Sequence, residues 1–152
     1  TSEQVKELAE RGHVIGSHSH THPEIFTKLT VDEIREEWTK SSEILRAILG
    51  DMELTLSIPN GYASKTIMDE AINAGYTDFY TSEPTTKVRF YKSHKVIGRY
   101  AVQDGMTAED VLRIVDDKSV RLKMAAKWQL LNVVKSVLGS SYETVKAKFL
   151  NH

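Results

Sequence analysis

Helical and strand patterns alternate along the first half of this chain, and that alternation is the feature that most restricts its fold. Polar capping residues precede three apolar helical stretches, and short apolar runs separate them. The predicted helices cover residues 2–11, the segment from Thr30 to Gly50 and the segment from Ser64 to Gly75. The predicted strands are "HVIG" at 13–16, which we expect to be buried, "LTLSI" at 54–58 and "YTDFYT" at 76–81. Such alternation predicts an α/β fold in which crossover helices connect parallel strands.

The second half of the chain departs from this pattern. "VRFY" at 88–91 and "VIGRYAV" at 96–102 predict two further strands, so His94 is expected to precede a strand. From Thr107 onward the spacing is helical, with breaks near Asp117 and Gly139. We therefore expect an α/β part over residues 1–106 and a helical C-terminal extension of the same domain over residues 107–152.

Composition narrows the classes of function and of metal site. A chain of 152 residues is long enough for one domain with its own core. Its formal net charge of −1 gives no overall field that would favour nucleic acid, so no nucleic-acid partner is expected. Cysteine is absent, so any metal must be held by nitrogen and oxygen ligands, and the cellular compartment stays open. No apolar run approaches the roughly 18 residues that predict a membrane span.

Three of the six histidines lie in one short segment, "GSHSHTHPE" at 16–24. The segment follows a predicted strand, and active groups of parallel α/β folds collect at the carboxyl ends of strands. An extended segment would point all three rings to one side, whereas a turn would bring His18 and His22 together and direct His20 elsewhere. Pro23 and the intervening hydroxyl residues favour the turn. Neutral imidazole is a common ligand of zinc, so the segment predicts a metal site.

This stretch also carries a family resemblance. "GHVIGSHSHTHPEI" resembles the second motif of the polysaccharide deacetylase family, the NodB homology domain also called carbohydrate esterase family 4. His18, Ser19, His22 and Pro23 match that motif position by position, whereas His20 falls on a variable position. "SIPNGYASKTIMDEAINAGYTDFYTSEP" continues the likeness into the family's third motif. Together these stretches cover about the first half of the chain.

The resemblance implies a fold, an activity and a cofactor. The fold would be a partial or deformed, TIM-like β/α barrel of the NodB type over residues 1–106. The activity would be hydrolysis of N-acetyl groups, occasionally O-acetyl groups, on a carbohydrate substrate. His18 and His22 would hold a divalent metal, with zinc as the first choice, which would acidify a water and polarise the acetamide carbonyl.

Three departures from the family pattern bear on catalysis. The family's Asp-Asp pair, which supplies the base and a third metal ligand, belongs to a strand that would precede residue 1, so we expect this chain to be a fragment that is inactive alone. The arginine that opens the third motif is Ser57 here. The late Leu-x-His motif that supplies the general acid has no counterpart. No catalytic residue is therefore assigned.

Several further residues have two interpretations. Pro59, Asn60, Gly61 and Tyr62 follow a predicted strand and are expected to line the sugar groove, although Pro-Asn-Gly is also an ordinary turn. Trp38 keeps helical spacing with apolar neighbours, which favours the core over sugar stacking. Arg99 would either reach an anionic sugar or pair with a carboxylate of the protein.

Two rival functions stay open at this point. The first is a non-catalytic carbohydrate- or metal-binding domain that has lost its catalytic set. The second is an amidohydrolase-type metal hydrolase that uses a His-x-His pair, although no histidine follows the later strands in the way that such a site needs. An incomplete barrel would also expose an edge along "HVIGS", which predicts homo-oligomers. Residues 119–138 would cover the barrel or join that contact, and we expect no membrane contact.

Overall fold

The computed structural model describes residues 1–61 and 63–138, and in the last helix it describes side chains up to residue 133. The elements are α1 (Ser2–Glu10), β1 (Gly16–Ser17), α2 (Val31–Leu49), β2 (Leu54–Ser57), α3 (Lys65–Asn73), β3 (Tyr76–Tyr80), β4 (Val88–Tyr91), β5 (His94–Ile97), α4 (Ala108–Asp116) and α5 (Lys118–Leu138). The chain forms two compact units, of which the first is Thr1–Arg99 and the second begins at Tyr100. The division at residues 106 and 107 expected from the sequence stays a proposal.

The first unit is built on a mostly parallel sheet. Its five strands lie in the order β1-β2-β3-β5-β4. β1, β2, β3 and β5 are parallel, and β4 pairs with β5 as an antiparallel hairpin. Helices α2 and α3 connect the parallel strands, as the alternation of patterns predicted. The α/β fold class is confirmed.

Local sequence signals account for the helix boundaries. Thr1 and Thr30 each form a complete capping box with the residue three positions on, and Ser64 caps α3 by accepting from the backbone of Ile67. α2 ends where Gly50 takes a positive φ of 81°. The three N-terminal caps satisfy backbone N–H donors that the first turn of a helix leaves without partners.

The core lies between the sheet and the helices. Trp38 of α2 is fully buried, stacks on Phe26 with ring centroids 4.9 Å apart, and donates from its indole to the carbonyl of Ile67 at 3.1 Å. Leu54, Leu56 and Phe79 contribute the buried faces of β2 and β3. The prediction that Trp38 belongs to the core is confirmed.

Two strand predictions need correction. "HVIG" was expected to be a buried strand, but β1 pairs only through Gly16–Ser17 and Val14 is 75% exposed. The reason is that β1 is an edge strand, so the residues before it meet a neighbour on one side at most. His94 was expected to precede a strand at 96–102, but it is the first residue of β5, because Lys92 takes a positive φ of 54° and closes the hairpin in two residues. β5 also ends at Ile97, so residues 98–102 are not part of a strand.

The second unit contributes two helices within the described residues. Thr107 forms a capping box at the start of α4, and α4 ends at Asp116 with Asp117 as its C-cap, where the sequence predicted a break. The guanidinium of Arg121 on α5 donates to carbonyls at the end of α4. The predicted break near Gly139 lies outside the described residues. No helix among those described is long and apolar enough to cross a membrane.

Candidate metal and substrate site

The candidate site lies at one edge of the sheet, where the parallel strands end. His18 follows β1, Ser57 closes β2, and Arg99 follows β5. Because parallel strands present their carboxyl ends at the same edge, residues far apart in the sequence meet there. All of these residues belong to the first compact unit.

The histidine segment is a tight turn after β1. Ser19 and His22 have positive φ values of 69° and 56°, which non-glycine residues rarely adopt. The turn brings the rings of His18 and His22 to a centroid separation of 4.9 Å at an interplanar angle of 57°. Both residues are exposed at the surface. Backbone strain from a positive φ at a non-glycine residue persists only where surrounding contacts impose it, and such strain concentrates at functional sites.

One hydrogen bond orients the ring of His18. Its Nδ1 lies 2.6 Å from the backbone carbonyl of Ser57. A carbonyl only accepts, so Nδ1 is the donor and carries the proton. In the neutral ring this leaves the lone pair on Nε2, which faces away from Ser57. Neutral imidazole with a free nitrogen lone pair is the form that binds metal ions.

A buried carboxylate that was not among the residues predicted from the sequence anchors the histidine turn. Glu37 of α2 is only 8% exposed. Its Oε2 accepts from the backbone N–H of His20 and of Thr21, both at 2.8 Å, and its Oε1 accepts from the Thr21 hydroxyl at 2.6 Å. Burial by itself would raise the pKa of Glu37, but the hydrogen bonds from Thr21 and His20 outweigh it and lower the pKa. The sequence did contain a signal, since Glu37 lies between the core positions Ile34 and Trp38 on the apolar face of α2.

Serine hydroxyls complete the support of the turn. Ser17 and Ser41 share a hydrogen bond of 2.6 Å between their hydroxyls, and the same Ser17 hydroxyl accepts from the backbone N–H of Ser19 at 3.1 Å. The Ser19 hydroxyl accepts in turn from the backbone N–H of His22 at 3.0 Å. His20 is not part of the ring pair, and together with His18 it lines a cavity of about 250 Å³ beside β1. This cavity is lined by Gly16, Ser17, His18, Ser19, His20, Ser41, Ile44 and Leu45.

The Pro-Asn-Gly segment after β2 packs against the histidine turn. Asn60, at a positive φ of 53°, donates from Nδ2 to the carbonyl of Glu24 at 3.0 Å. Asn60 is exposed, whereas Pro59 is fully buried. The assignment of Pro59 to the sugar groove stays a prediction. Gly61 has a positive φ of 70°, and a Cβ there would overlap the Ser82 side chain. Tyr62 lies outside the described residues.

Ser57 connects two parts of the edge. Its carbonyl accepts from His18, and its hydroxyl accepts from a guanidinium N–H of Arg99. The position at which the family's third motif has an arginine is thus contacted by an arginine that follows another strand, β5. Arg99 reaches Ser57 past the end of β3, because β3 lies between β2 and β5 in the sheet.

The donor set fits a zinc-type ion in part. His18 and His22 offer two imidazole nitrogens of the kind zinc prefers, and a catalytic zinc typically has three protein ligands. Within residues 1–61 and 63–138, no group of three or more histidine, aspartate or glutamate side chains is arranged to hold a metal. Assignment of His18 and His22 as metal ligands stays a prediction. The rings that come together are four residues apart, which disfavours the His-x-His alternative.

Comparison with known proteins decides the family. The family profile described as polysaccharide deacetylase matches residues 1–79. The chain belongs to the polysaccharide deacetylase family. The matched residues include the histidine turn, strand β1, which precedes the turn, and strand β2, which pairs with β1.

Relatives in this family support the assignment over part of their length. The chain is 34% identical over 79 residues to the peptidoglycan-N-acetylmuramic acid deacetylase PdaA of Bacillus subtilis, an alignment that covers 51% of this chain and 30% of PdaA. It is 44% identical over 46 residues to the peptidoglycan-N-acetylglucosamine deacetylase of Bacillus cereus, covering 30% of this chain and 16% of that protein. The chain thus spans less than a third of either relative.

A solved structure shows the same fold. The deacetylase PplD of Streptococcus pyogenes, determined in complex with acetate, superposes with a TM-score of 0.61 at 20% sequence identity. The superposition covers 76% of this chain and 50% of PplD. The likeness shows that this chain and PplD share a fold.

Proposed function

We propose that this chain is the metal-binding part of a carbohydrate deacetylase, a hydrolase that cleaves the C–N bond of an N-acetyl group on a sugar. The observation that carries the proposal is a pair of exposed imidazoles, those of His18 and His22, whose ring centroids are 4.9 Å apart at the carboxyl edge of the sheet. Family membership supports it, as do the activities stated in the names of the two Bacillus relatives.

The residues around the pair are suited to hold it in one arrangement. The carbonyl of Ser57 selects the tautomer of His18, and the carboxylate of Glu37 pins the backbone at His20 and Thr21 between the two ligands. Contacts of this kind orient ligands and typically change metal affinity by about 10–100-fold when removed. A divalent metal held there, zinc as the first choice, supplies Lewis-acid chemistry at the acetamide carbonyl. We propose that a residue outside the described ranges completes the ligand set.

The substrate is proposed to lie along the same edge. Asn60 and the backbone at Gly61 border the histidine turn and are accessible from solvent, so they are the proposed sugar contacts. Tyr62 follows them directly in the sequence and is retained as a proposed contact from its position alone.

The test is metal content together with acetate release by the full-length protein on N-acetylated sugars. His18→Ala and His22→Ala should each lose metal and lower the deacetylation rate by at least about 100-fold, as expected when a ligand of a catalytic metal is removed. His20→Ala is the matched control, because its ring lies outside the pair, and it should keep most of both. Metal loss in His20→Ala with retention in His22→Ala would refute the ligand assignment. Full metal binding without acetate release would favour the non-catalytic binding domain.

A further inference from the structure

Ser41 of α2 is a buried polar residue that contacts the histidine turn from the core. Its hydroxyl shares a hydrogen bond of 2.6 Å with the buried hydroxyl of Ser17, across 24 positions of sequence. α2 is fixed in the core by the fully buried Trp38, whose indole donates to the carbonyl of Ile67. Ser41 therefore offers its hydroxyl to the turn from a rigid element, and residues on such elements position a site more precisely than residues on loops.

Hydrogen bonds in series lead from Ser41 to His22. The Ser17 hydroxyl, which contacts Ser41, also accepts from the backbone N–H of Ser19 at 3.1 Å. The Ser19 hydroxyl accepts in turn from the backbone N–H of His22 at 3.0 Å. A serine hydroxyl has one donor and two acceptor sites, so Ser17 can contact Ser41 and Ser19 at the same time. We call Ser41, Ser17 and Ser19 the serine relay.

The serine relay acts on the two strained residues of the turn. Ser19 and His22 have φ values of 69° and 56°, and each donates its backbone N–H to a hydroxyl of the relay. A positive φ is unfavourable for a residue with a Cβ and persists only where contacts impose it. Each of these hydrogen bonds therefore opposes the relaxation of a strained residue.

The second support of the turn acts at different residues. Glu37 lies four positions before Ser41 on α2, and its carboxylate accepts from the backbone of His20 and Thr21. Glu37 stays in place when Ser41 is changed, so the turn should still form. What should change is the placement of His22.

His22 is one half of the proposed metal-binding pair. Its ring centroid lies 4.9 Å from that of His18, whose own ring is oriented by the carbonyl of Ser57. We infer that Ser41 is a positioning residue that sets, through the serine relay, where the His22 imidazole lies relative to that of His18. The inference rests on the proposed function for the use of the pair, and on the serine relay for its geometry.

A matched pair of variants of the full-length protein tests the inference without metal. Ser41→Ala interrupts the serine relay. Ser42→Ala is the control, because Ser42 is the next residue of α2 and is equally buried, but its hydroxyl donates to the carbonyl of Ala74 at 2.9 Å. In metal-free NMR spectra, the amide signals of Ser19 and His22 and the ring signals of His22 should shift in Ser41→Ala and stay in place in Ser42→Ala.

The dissociation constant for zinc, measured against a chelating indicator, is the second readout. Ser41→Ala should weaken zinc binding by about tenfold, the lower end of the effect of removing a contact that orients a metal ligand. Ser42→Ala should bind zinc as the wild type does. Ser41→Thr keeps the hydroxyl and borders the cavity beside β1, which has room for the added methyl group, so it should recover most of the affinity. In a Ser17→Ala background, Ser41→Ala should weaken binding no further, because the serine relay is already interrupted.

Several results would overturn the role of Ser41. They are signals of Ser19 and His22 that stay unmoved in Ser41→Ala or move equally in Ser42→Ala. An unchanged zinc affinity in Ser41→Ala, an equal loss in Ser41→Thr, or a loss that adds to that of Ser17→Ala would overturn it as well.

The outcomes also separate this inference from the proposed function. If the wild type binds no zinc, the proposed function fails, and the metal-free spectra alone decide the role of Ser41. If zinc binding depends on Ser41 but no acetate is released from N-acetylated sugars, the positioning role stands and the deacetylase proposal fails. If acetate is released and Ser41→Ala changes neither readout, the proposed function stands alone.

Discussion

Replacing Glu37 by alanine should loosen the histidine turn and destabilise the protein by about 2.5 kcal/mol. The carboxylate accepts three hydrogen bonds, two from backbone N–H groups and one from the Thr21 hydroxyl. Hydrogen bonds to charged groups stabilise by about 1.5–3 kcal/mol and neutral ones by about 0.5–1.5 kcal/mol. His20 and Thr21 are accessible to solvent, so water replaces part of what is lost, and about 1 kcal/mol for each bond is appropriate. The higher helix propensity of alanine returns a few tenths, roughly 0.4 kcal/mol.

The measurement is urea unfolding followed by far-UV circular dichroism, with ¹H–¹⁵N spectra of both folded proteins. The amide signals of His20 and Thr21 should shift and exchange faster in Glu37→Ala, because their acceptor is gone. Glu37→Gln is the matched control, since its amide oxygen still accepts from the backbone while the charge is lost, and it should cost about 1 kcal/mol.

A specific result would refute this reasoning. If Glu37→Ala unfolds within about 0.5 kcal/mol of the wild type, a size typical of surface substitutions, and both amide signals are unmoved, then the turn is held by other contacts. A large loss of stability with unmoved amide signals would assign Glu37 to the packing of α2 instead of to the site.

Three further results are expected. Hydrogen bonds keep the pKa of Glu37 in the folded protein below that of an unfolded glutamate, which is about 4.3. The ionised carboxylate should therefore stabilise the fold fully above about pH 5, and this stabilisation should be lost as the pH falls through the lowered folded-state pKa. In urea titrations, the stability difference between wild type and Glu37→Gln should shrink below about pH 4. Gly61→Ala should destabilise by about 2 kcal/mol through its positive φ and its overlap with Ser82, and a double variant with Ser82→Gly should recover part of that loss; equal stability of the single and double variants would exclude the overlap. The 152-residue chain should self-associate through β1, because β1 is an edge strand and the nearby apolar residues Val14 and Ile44 are 75% and 48% exposed. Sedimentation at several protein concentrations checks this, and a monomer at every concentration would contradict it.

Most of the element order could be predicted from the sequence because its signals are local. The capping boxes at Thr1 and Thr30 act over three residues, and the apolar face of α2 recurs every three to four residues. The same holds for the spacing of His18 and His22, which depends only on a turn within five residues. The burial of Trp38 followed from its place on that apolar face. Such features are predictable from a single sequence because no distant residue is needed to produce them.

The extent of the edge strands was decided by the tertiary structure. β1 is two residues long because only Gly16–Ser17 has a ladder partner, and β5 begins at His94 because a left-handed residue closes the preceding hairpin. Strand ends depend on which neighbour is present across the sheet, and a single sequence contains no direct record of that neighbour.

The contacts that build the site were likewise decided by tertiary structure. Glu37 meets His20 across 17 positions of sequence, His18 meets Ser57 across 39, and Arg99 meets Ser57 across 42. The sequence by itself determined which residues carry the chemistry, since imidazole, carboxylate and guanidinium are properties of the residue types. Only the order of strands in the sheet determined which of them meet, because that order brings the ends of β1, β2 and β5 to one edge and leaves the charge of Arg99 beside the histidines.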